Sequence, residues 1–305
     1  MRYRPLVSGA ESGTWGGMDV KEFPTGELMR LSPLVARVLA PNPSPFTYTG
    51  TQTYVVGESD LAVIDPGPDD AEHLAALMRV IGGRPVRAIM STHTHRDHSP
   101  GSRPLSEATG APIIGCAPLA LQDDGPRADA AFDEGYAPHR VLLEGDHVQG
   151  EGWTLQAVAT PGHTSNHLCF ALLEEKVLFT GDHVMGWSTS VISPPDGDMA
   201  AYMASMQKLL GRDDLIYYPA HGEPVDQPQR WVRSMMGHRK HREGQILRYL
   251  RAHETASIPE MVEKMYKGVD PRLYGAAGRS VLAHLLDLQA RNLVFSENDR
   301  WKIAA

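Results

Sequence analysis

Cysteine is nearly absent from this chain, with two residues in 305, Cys116 and Cys169. So low a count excludes a disulfide framework and the thiolate-rich shells that hold structural zinc. Both thiols sit in apolar company, Ile113-Ile114-Gly115-Cys116 and Leu168-Cys169-Phe170. Two buried free thiols in a reducing cytosol are expected, although the sequence leaves a single disulfide between them open. No apolar run approaches the ~20 residues of a membrane-crossing helix. The opening MRYRPLVSGAESG carries no apolar signal core either, so the expected location is the cytoplasm, with no membrane partner. Gly-x-Ser-x-Gly is missing, and with it the serine nucleophile that this motif marks. Positive charge is scarce in the body of the chain. Residues 1–230 carry 16 Lys and Arg against 29 Asp and Glu, whereas residues 231–305 carry 13 against 8. An acidic body with a basic tail points to two modules with different surfaces, expected over 1–230 and 231–305.

What the chain does have is a concentration of histidine. In Thr92-His93-Thr94-His95-Arg96-Asp97-His98, four potential metal ligands fall within six residues. Val86–Ser91 before them reads as a buried strand, and Ser99-Pro100-Gly101 after them as a turn. In extended backbone alternate side chains share a face, so His93 and His95 turn toward one metal. Where the chain then turns into a helix, Asp97 and His98 swing toward a second position a few ångströms away. Imidazoles beside a carboxylate suit a catalytic first-row ion better than a structural one. A histidine-rich loop that binds nothing would have no counterpart downstream.

Three counterparts follow. His163 stands in the turn Thr160-Pro161-Gly162-His163-Thr164, Asp182 follows the apolar strand Val177–Thr180, and His221 follows Leu215–Tyr218. Each alone is an ordinary loop residue, but all three sit where a strand gives way to a loop. The count serves two ions: His93, His95 and His163 on one, Asp97, His98 and His221 on the other, with Asp182 bridging. Bridged ions about 3.5–4 Å apart activate a shared hydroxide. Asp182 and Asp97 are the expected catalytic carboxylates, the first fixing the pair and the second also holding the attacking hydroxide's proton. Asp65, at the end of Leu61–Ile64, reads either as a turn cap or as a functional group at a strand end.

The remaining pattern is mixed. Gly50–Gly57 and Leu61–Asp65 read as paired strands, Ala71–Gly82 as a helix with Leu74, Leu77, Met78 and Ile81 on one face, and Ser102–Thr109 as another helix. Pro112–Cys116 reads as a strand, and 121–139 as a polar loop. Val141–Leu143, Trp153–Ala159, His167–Leu173 and Val177–Thr180 read as strands, and Met199–Leu210 as an amphipathic helix.

Taken together, the HxHxDH run from His93 to His98, the TPGHT turn, the Gly-Asp after a strand and the later Ala-His-Gly resemble the metallo-beta-lactamase-fold hydrolases over residues 50–225. The resemblance implies an αββα sandwich of two mixed sheets, an α+β fold, and its ligand positions agree with the assignment above. It also implies that Asp65 is a supporting carboxylate that orients a ligand histidine, and that His167 supports the site from behind the ligands. His183 is not at a ligand position and is expected to be structural.

The tail reads as a basic amphipathic helix, His238–Leu250, then helices over Ile258–Tyr266 and Leu273–Ala290, then two short strands around Ser296–Asp299. Three helices and a hairpin make a winged helix. This resembles the branch of the superfamily that includes the endoribonuclease beta-lactamase-like protein 2 and the thioesterases of fungal polyketide pathways. Only Arg272, Arg279 and Arg291 are basic on the third helix, so a roof over the active site is expected rather than a DNA reader.

The chemistry implied is hydrolysis by a metal-bound hydroxide, with two zinc ions as the default and iron or manganese as alternatives. Small ester, thioester or lactone substrates are expected. Single-stranded RNA is the alternative partner, which the acidic body disfavours because nucleic-acid affinity comes largely from neutralised phosphates. A third reading, a DNA-binding regulator with a structural metal, conflicts with an open histidine–carboxylate set. Beta-lactamase activity is not expected, since an Asp97-containing set with a bridging Asp182 is not that of the antibiotic-hydrolysing members. The sequence is silent on oligomeric state.

Overall fold

Strands rich in Val, Ile, Leu and Phe that are buried on both sides need a layer on each face. The computed structural model describes residues 24–119, 132–268 and 273–304, and the backbone of a short antiparallel pair, β1 (Thr14–Trp15) and β2 (Met18–Asp19). One sheet holds seven strands in chain order: β3 (Leu28–Arg30), β4 (Val35–Leu39), β5 (Gln52–Val56), β6 (Leu61–Ile64), β7 (Val86–Ser91), β8 (Ile113–Gly115) and β9 (Arg140–Val141). Pairing is antiparallel from β3 to β6 and parallel from β6 to β9. Two parallel crossovers are made by α1 (Ala71–Ile81) and α2 (Ser102–Thr109). The second sheet has β10 (His147–Gly150), β11 (Trp153–Ala159), β12 (Leu168–Leu172), β13 (Val177–Gly181) and β14 (Ile216–Pro219). In it only β13 and β14 run parallel, joined through α3 (Met199–Leu210).

Period-two alternation sorts the side chains into layers. Tyr54, Val56, Ala62, Ile64, Ala88 and Met90 meet Trp153, Leu155, Phe170 and Phe179 between the sheets. Their neighbours Val55, Leu61, Val63 and Ile89 turn out onto Leu77, Ile81 and Leu105 of α1 and α2. Val158, Cys169, Ala171 and Leu178 turn the other way, onto α3 and the first half of α4 (Pro228–Ala252). The result is the expected αββα sandwich. Local chemistry sets the helix ends: the Asp70 carboxylate accepts from the His73 amide at 2.7 Å, and Gly82 adopts the left-handed conformation after α1. Both cysteines are buried free thiols, so no disulfide joins them.

Three expectations need correction or limits. The tail helix starts at Pro228, ten residues before His238, because a proline in the first turn suits a helix start. The edge strand β10 has no counterpart in the sequence pattern, since only Val148 in His147–Gly150 is buried. Of the loop expected at 121–139, residues 120–131 lie outside the described residues, while Phe132 and Tyr136 are buried rather than polar surface.

The C-terminal part builds its own core. Ile246 and Leu250 from the second half of α4 pack with Met261 and Val262 of α5 (Ile258–Met265) and with Val281, Leu285 and Leu288 of α6 (Tyr274–Ala290). Val294 of β15 (Val294–Glu297) and Trp301 of β16 (Arg300–Ile303) close it. The hairpin turns at Asn298-Asp299, both at positive φ as a tight primed turn requires. This is a winged helix. Arg272 lies outside the described residues. Arg279 donates to the Pro194 carbonyl at 3.3 Å, and Arg291 pairs with Glu243 at 2.6 Å and Asp287 at 2.8 Å. No described helix is long and apolar enough to cross a membrane.

One glycine fixes how the second sheet meets α3. Gly162 has φ +140°, and a Cβ there would lie 2.3 Å from the Tyr202 Cα. Gly162→Ala is expected to destabilise the protein by about 2–4 kcal/mol, the scale of a forced core displacement. Urea denaturation checks this, and an unchanged midpoint would rule it out.

Candidate metal centre

Every sequence-singled ligand lies just past a strand of the two sheets. Residues 92–98 follow β7, His163 lies in the connection from β11 to β12, Asp182 follows β13, and His221 follows β14. The structure brings all seven together in two buried groups: His93, His95, His163 and Asp182, then Asp97, His98 and His221. Within each group the ligand atoms lie within 4.8 Å of one another.

In the first group, His93 Nε2 and His163 Nε2 lie 2.9 and 3.1 Å from His95 Nδ1. Their far nitrogens decide the tautomers. His163 Nδ1 donates to the Val191 carbonyl at 2.6 Å. Thr92 Oγ1 gives its proton to Asp65 Oδ2 at 2.8 Å, so it accepts from His93 Nδ1 at 3.0 Å. Both Nε2 atoms therefore present bare lone pairs, and His95 Nδ1 has at most one proton to offer them. Burial lowers the pKa of His93 far below its usual value and that of His95 to about 3, and neighbouring imidazoles push the same way. Imidazole nitrogens crowded this closely, with at most one proton between the three facing atoms, are a donor set that fits a cation.

The second group is bound by charge. Asp97 Oδ2 lies 3.3 Å from His98 Nε2 and 3.2 Å from His221 Nε2. Asp182 reaches both groups: Oδ2 lies 3.6 Å from His163 Nε2, while Oδ1 lies 3.3 Å from His221 Nε2 and 3.6 Å from His98 Nε2. His98 Nε2 and Asp182 Oδ1 are fully buried yet make no hydrogen bond of proper geometry. Convergence without hydrogen-bonding alignment is again what ligands of an ion show. Burial alone would lower His98 and His221, but Asp97 and Asp182 overcome it, raising His98 well above its ordinary value and His221 to about 9.

The supporting residues are placed as follows. Asp65, at φ +49°, accepts from the Thr92 amide at 2.8 Å and lies 3.2 Å from His98 Nδ1. His167 Nε2 accepts from the Asp182 amide at 3.2 Å, and its Nδ1 meets Thr160 Oγ1 at 2.9 Å. Burial keeps that imidazole neutral, so it acts as an acceptor. His183 belongs to neither group and packs on the Tyr202 ring, 4.8 Å between centroids. Sequence reasoning missed Phe132, whose ring lies 4.8 Å from that of His95, and the Gly50 and Val191 carbonyls that orient His221 and His163. Backbone carbonyls leave no trace in side-chain identity.

Known proteins agree with this architecture. The metallo-beta-lactamase superfamily pattern matches residues 47–221, more than half of the chain. The chain belongs to the metallo-beta-lactamase superfamily. It is a hydrolase of that superfamily, and a beta-lactamase-associated winged helix domain matches residues 257–301. Among curated relatives, a beta-lactamase-like protein 2 homolog from Caenorhabditis elegans is 32% identical over 241 residues, 78% of each chain. An atrochrysone carboxyl ACP thioesterase from Claviceps purpurea is 29% identical over 256 residues, 81% of this chain and 76% of that one. A beta-lactamase domain protein from Burkholderia ambifaria superposes with a TM-score of 0.77 over 92% of this chain and 94% of its own, at 19% identity, a likeness of fold.

Ion binding by this hydrolase is expected to displace protons. At pH 7 in the ion-free protein His98 and His221 are protonated, their pKa values being raised, so loading releases about two protons and affinity climbs as pH rises toward 9. Calorimetric zinc titration in two buffers of different ionisation enthalpy reads this number, and zero release would contradict the charge assignment.

Proposed function

We propose that this superfamily hydrolase cleaves small acyl substrates, esters, thioesters or lactones, with two divalent ions held by the seven residues described above. The carrying observation is Asp182, whose two carboxylate oxygens face different donor groups. Such a carboxylate is built to bridge. When bound, the ion pair supplies Lewis acidity toward the substrate oxygen and acidifies water to near neutrality. Zinc is the ion proposed, since neutral imidazole and carboxylate suit it.

The chain's own residues do the rest. Asp65 holds His98, and His167 holds the Asp182 backbone, so neither ligand reorganises during turnover. Asp97 and Asp182 keep 15% and 12% of their side chains exposed, whereas His98 and His221 keep 1% or less. The carboxylates therefore face the substrate side, and Asp97 is positioned to hold the proton of the attacking water. Both carboxyls stay ionised: burial opposes this, but His98 and His221 drive each well below the usual carboxylate range.

An acyl substrate is favoured over RNA by the acidic body, and because three of the tail arginines, Arg239, Arg242 and Arg279, donate to carbonyls within the molecule. Arg239 is buried, and Arg242 lies over the Tyr266 ring at 4.2 Å. The thioesterase relative supports the same class. We further assign residues 1–230 to the catalytic domain and 231–305 to the tail, with α4 running through the join, and a cytoplasmic location, which the buried free thiols support.

The test sets an acyl thioester beside a labelled single-stranded RNA on zinc-loaded protein. Thioester turnover is expected, reduced at least ~100-fold by His95→Ala or Asp182→Ala, the scale on which loss of a ligand or its support acts. RNA cleavage abolished by the same substitutions, with no thioester turnover, would replace the acyl reading with the nuclease one.

A further inference from the structure

Along α4, Val232, Met235, Arg239, Ile246 and Leu250 are the buried positions after Pro228, spaced by three, four, seven and four residues. That spacing makes one stripe along the helix. Its first members enter the core of the second sheet and its last members enter the winged-helix core. The middle member is a cation. Arg239 is 4% exposed, and among the described residues it has no carboxylate within ion-pair distance. Taking a guanidinium out of water without an anionic partner is costly, and an apolar side chain would fill the stripe more cheaply. The position therefore needs the hydrogen-bonding reach of arginine.

What Arg239 touches explains that need. Its Nη2 donates to the Ser190 carbonyl, and its guanidinium lies 5.4 Å from the centroid of the Tyr202 ring in α3. Ser190, itself buried, turns its hydroxyl back on the metal-centre strand end, reaching the Asp182 carbonyl at 2.6 Å and the His183 carbonyl at 2.9 Å. The next residue, Val191, offers the carbonyl that takes the His163 Nδ1 proton. One short segment, held from outside by α4, thus orients both first-group members that arise from the second sheet.

We propose that Arg239 is a positioning residue of the metal centre: through Ser190 and Val191 it fixes Asp182 and His163, so that α4, the helix leading into the winged helix, sets the geometry of ion binding. The proposal rests on the two-ion reading above. It assigns α4 a specific role in that site, distinct from a general roof over substrate.

The test compares wild type, Arg239→Met and Ser190→Ala loaded with cobalt(II), reading ion stoichiometry, dissociation constants and the visible ligand-field spectrum, then kcat and KM on the loaded proteins. Ser190→Ala removes the hydroxyl that reaches the Asp182 and His183 carbonyls but keeps the carbonyl that Arg239 holds, so it tests the inner link; where Arg239→Met fails to fold, Arg239→Lys, which keeps a cation and a shorter donor, tests the outer one. Expected are a ~10–100-fold weaker dissociation constant for one ion, an altered spectrum, and a fall in kcat with KM held, the magnitude typical of lost outer support to ligands. Wild-type cobalt affinity and spectrum in the variants, with only a lower melting temperature, would overturn the proposal and leave Arg239 as packing. Should wild type take up a single ion, the two-ion reading fails, yet comparing the variants with wild type at that ion still decides the role of Arg239.

Discussion

Everything in this molecule depends on holding lone pairs and charges together where water is excluded. His93, His95 and His163 crowd ring nitrogens about 3 Å apart, and two carboxylates face two imidazoles beside them. Left to themselves such groups would separate into solvent or recruit protons. They stay because their backbones are pinned to two packed sheets and their outer atoms are claimed by Asp65, Thr92, His167, Gly50 and Val191. Rigidity is what makes the set a receptor for cations.

The sandwich meets this demand through its topology. Parallel pairing of β6, β7 and β8 sends the chain out of the first sheet at the edge where Asp65 and the histidine run begin. In the second sheet, parallel β13 and β14 bring Asp182 and His221 out side by side, with the Ala220 amide donating to the Gly181 carbonyl at 3.1 Å. The interior between the sheets is filled by large side chains such as Trp153, Tyr54 and Phe170, so polar groups concentrate at the rim. Placing the donors at strand ends lets them converge without interrupting a ladder of hydrogen bonds.

The winged helix is bound into this arrangement. α4 supplies one stripe to two cores, and its single charged member faces the segment that follows Asp182. The basic character of the tail, which in sequence suggests a surface for anions, is partly spent inward: Arg239 on Ser190, Arg242 on the Met265 carbonyl, and Arg279 on Pro194. Electrostatics counted along a chain cannot tell an exposed cation from one that ties two domains together.

Much was legible in sequence because the signals are local. Helix α1 shows its apolar face at three- and four-residue spacing, and α2, α3 and β11 fall at the ranges their patterns indicate. The histidine run is legible because extended backbone forces alternate side chains to one side. The start of α4 and the edge strand β10 were not legible, because an exposed helix turn and a strand with one buried residue carry little periodicity. By itself, then, the sequence determined the layer architecture and which residues are candidate donors, since both follow from residue type and near-neighbour spacing. Only the tertiary structure decided how closely the donors of each group approach, which carbonyl or hydroxyl orients each imidazole, and that an arginine 49 residues away steadies Ser190 beside Asp182. Those relations join segments far apart in the chain, through carbonyls and burial that no single residue encodes.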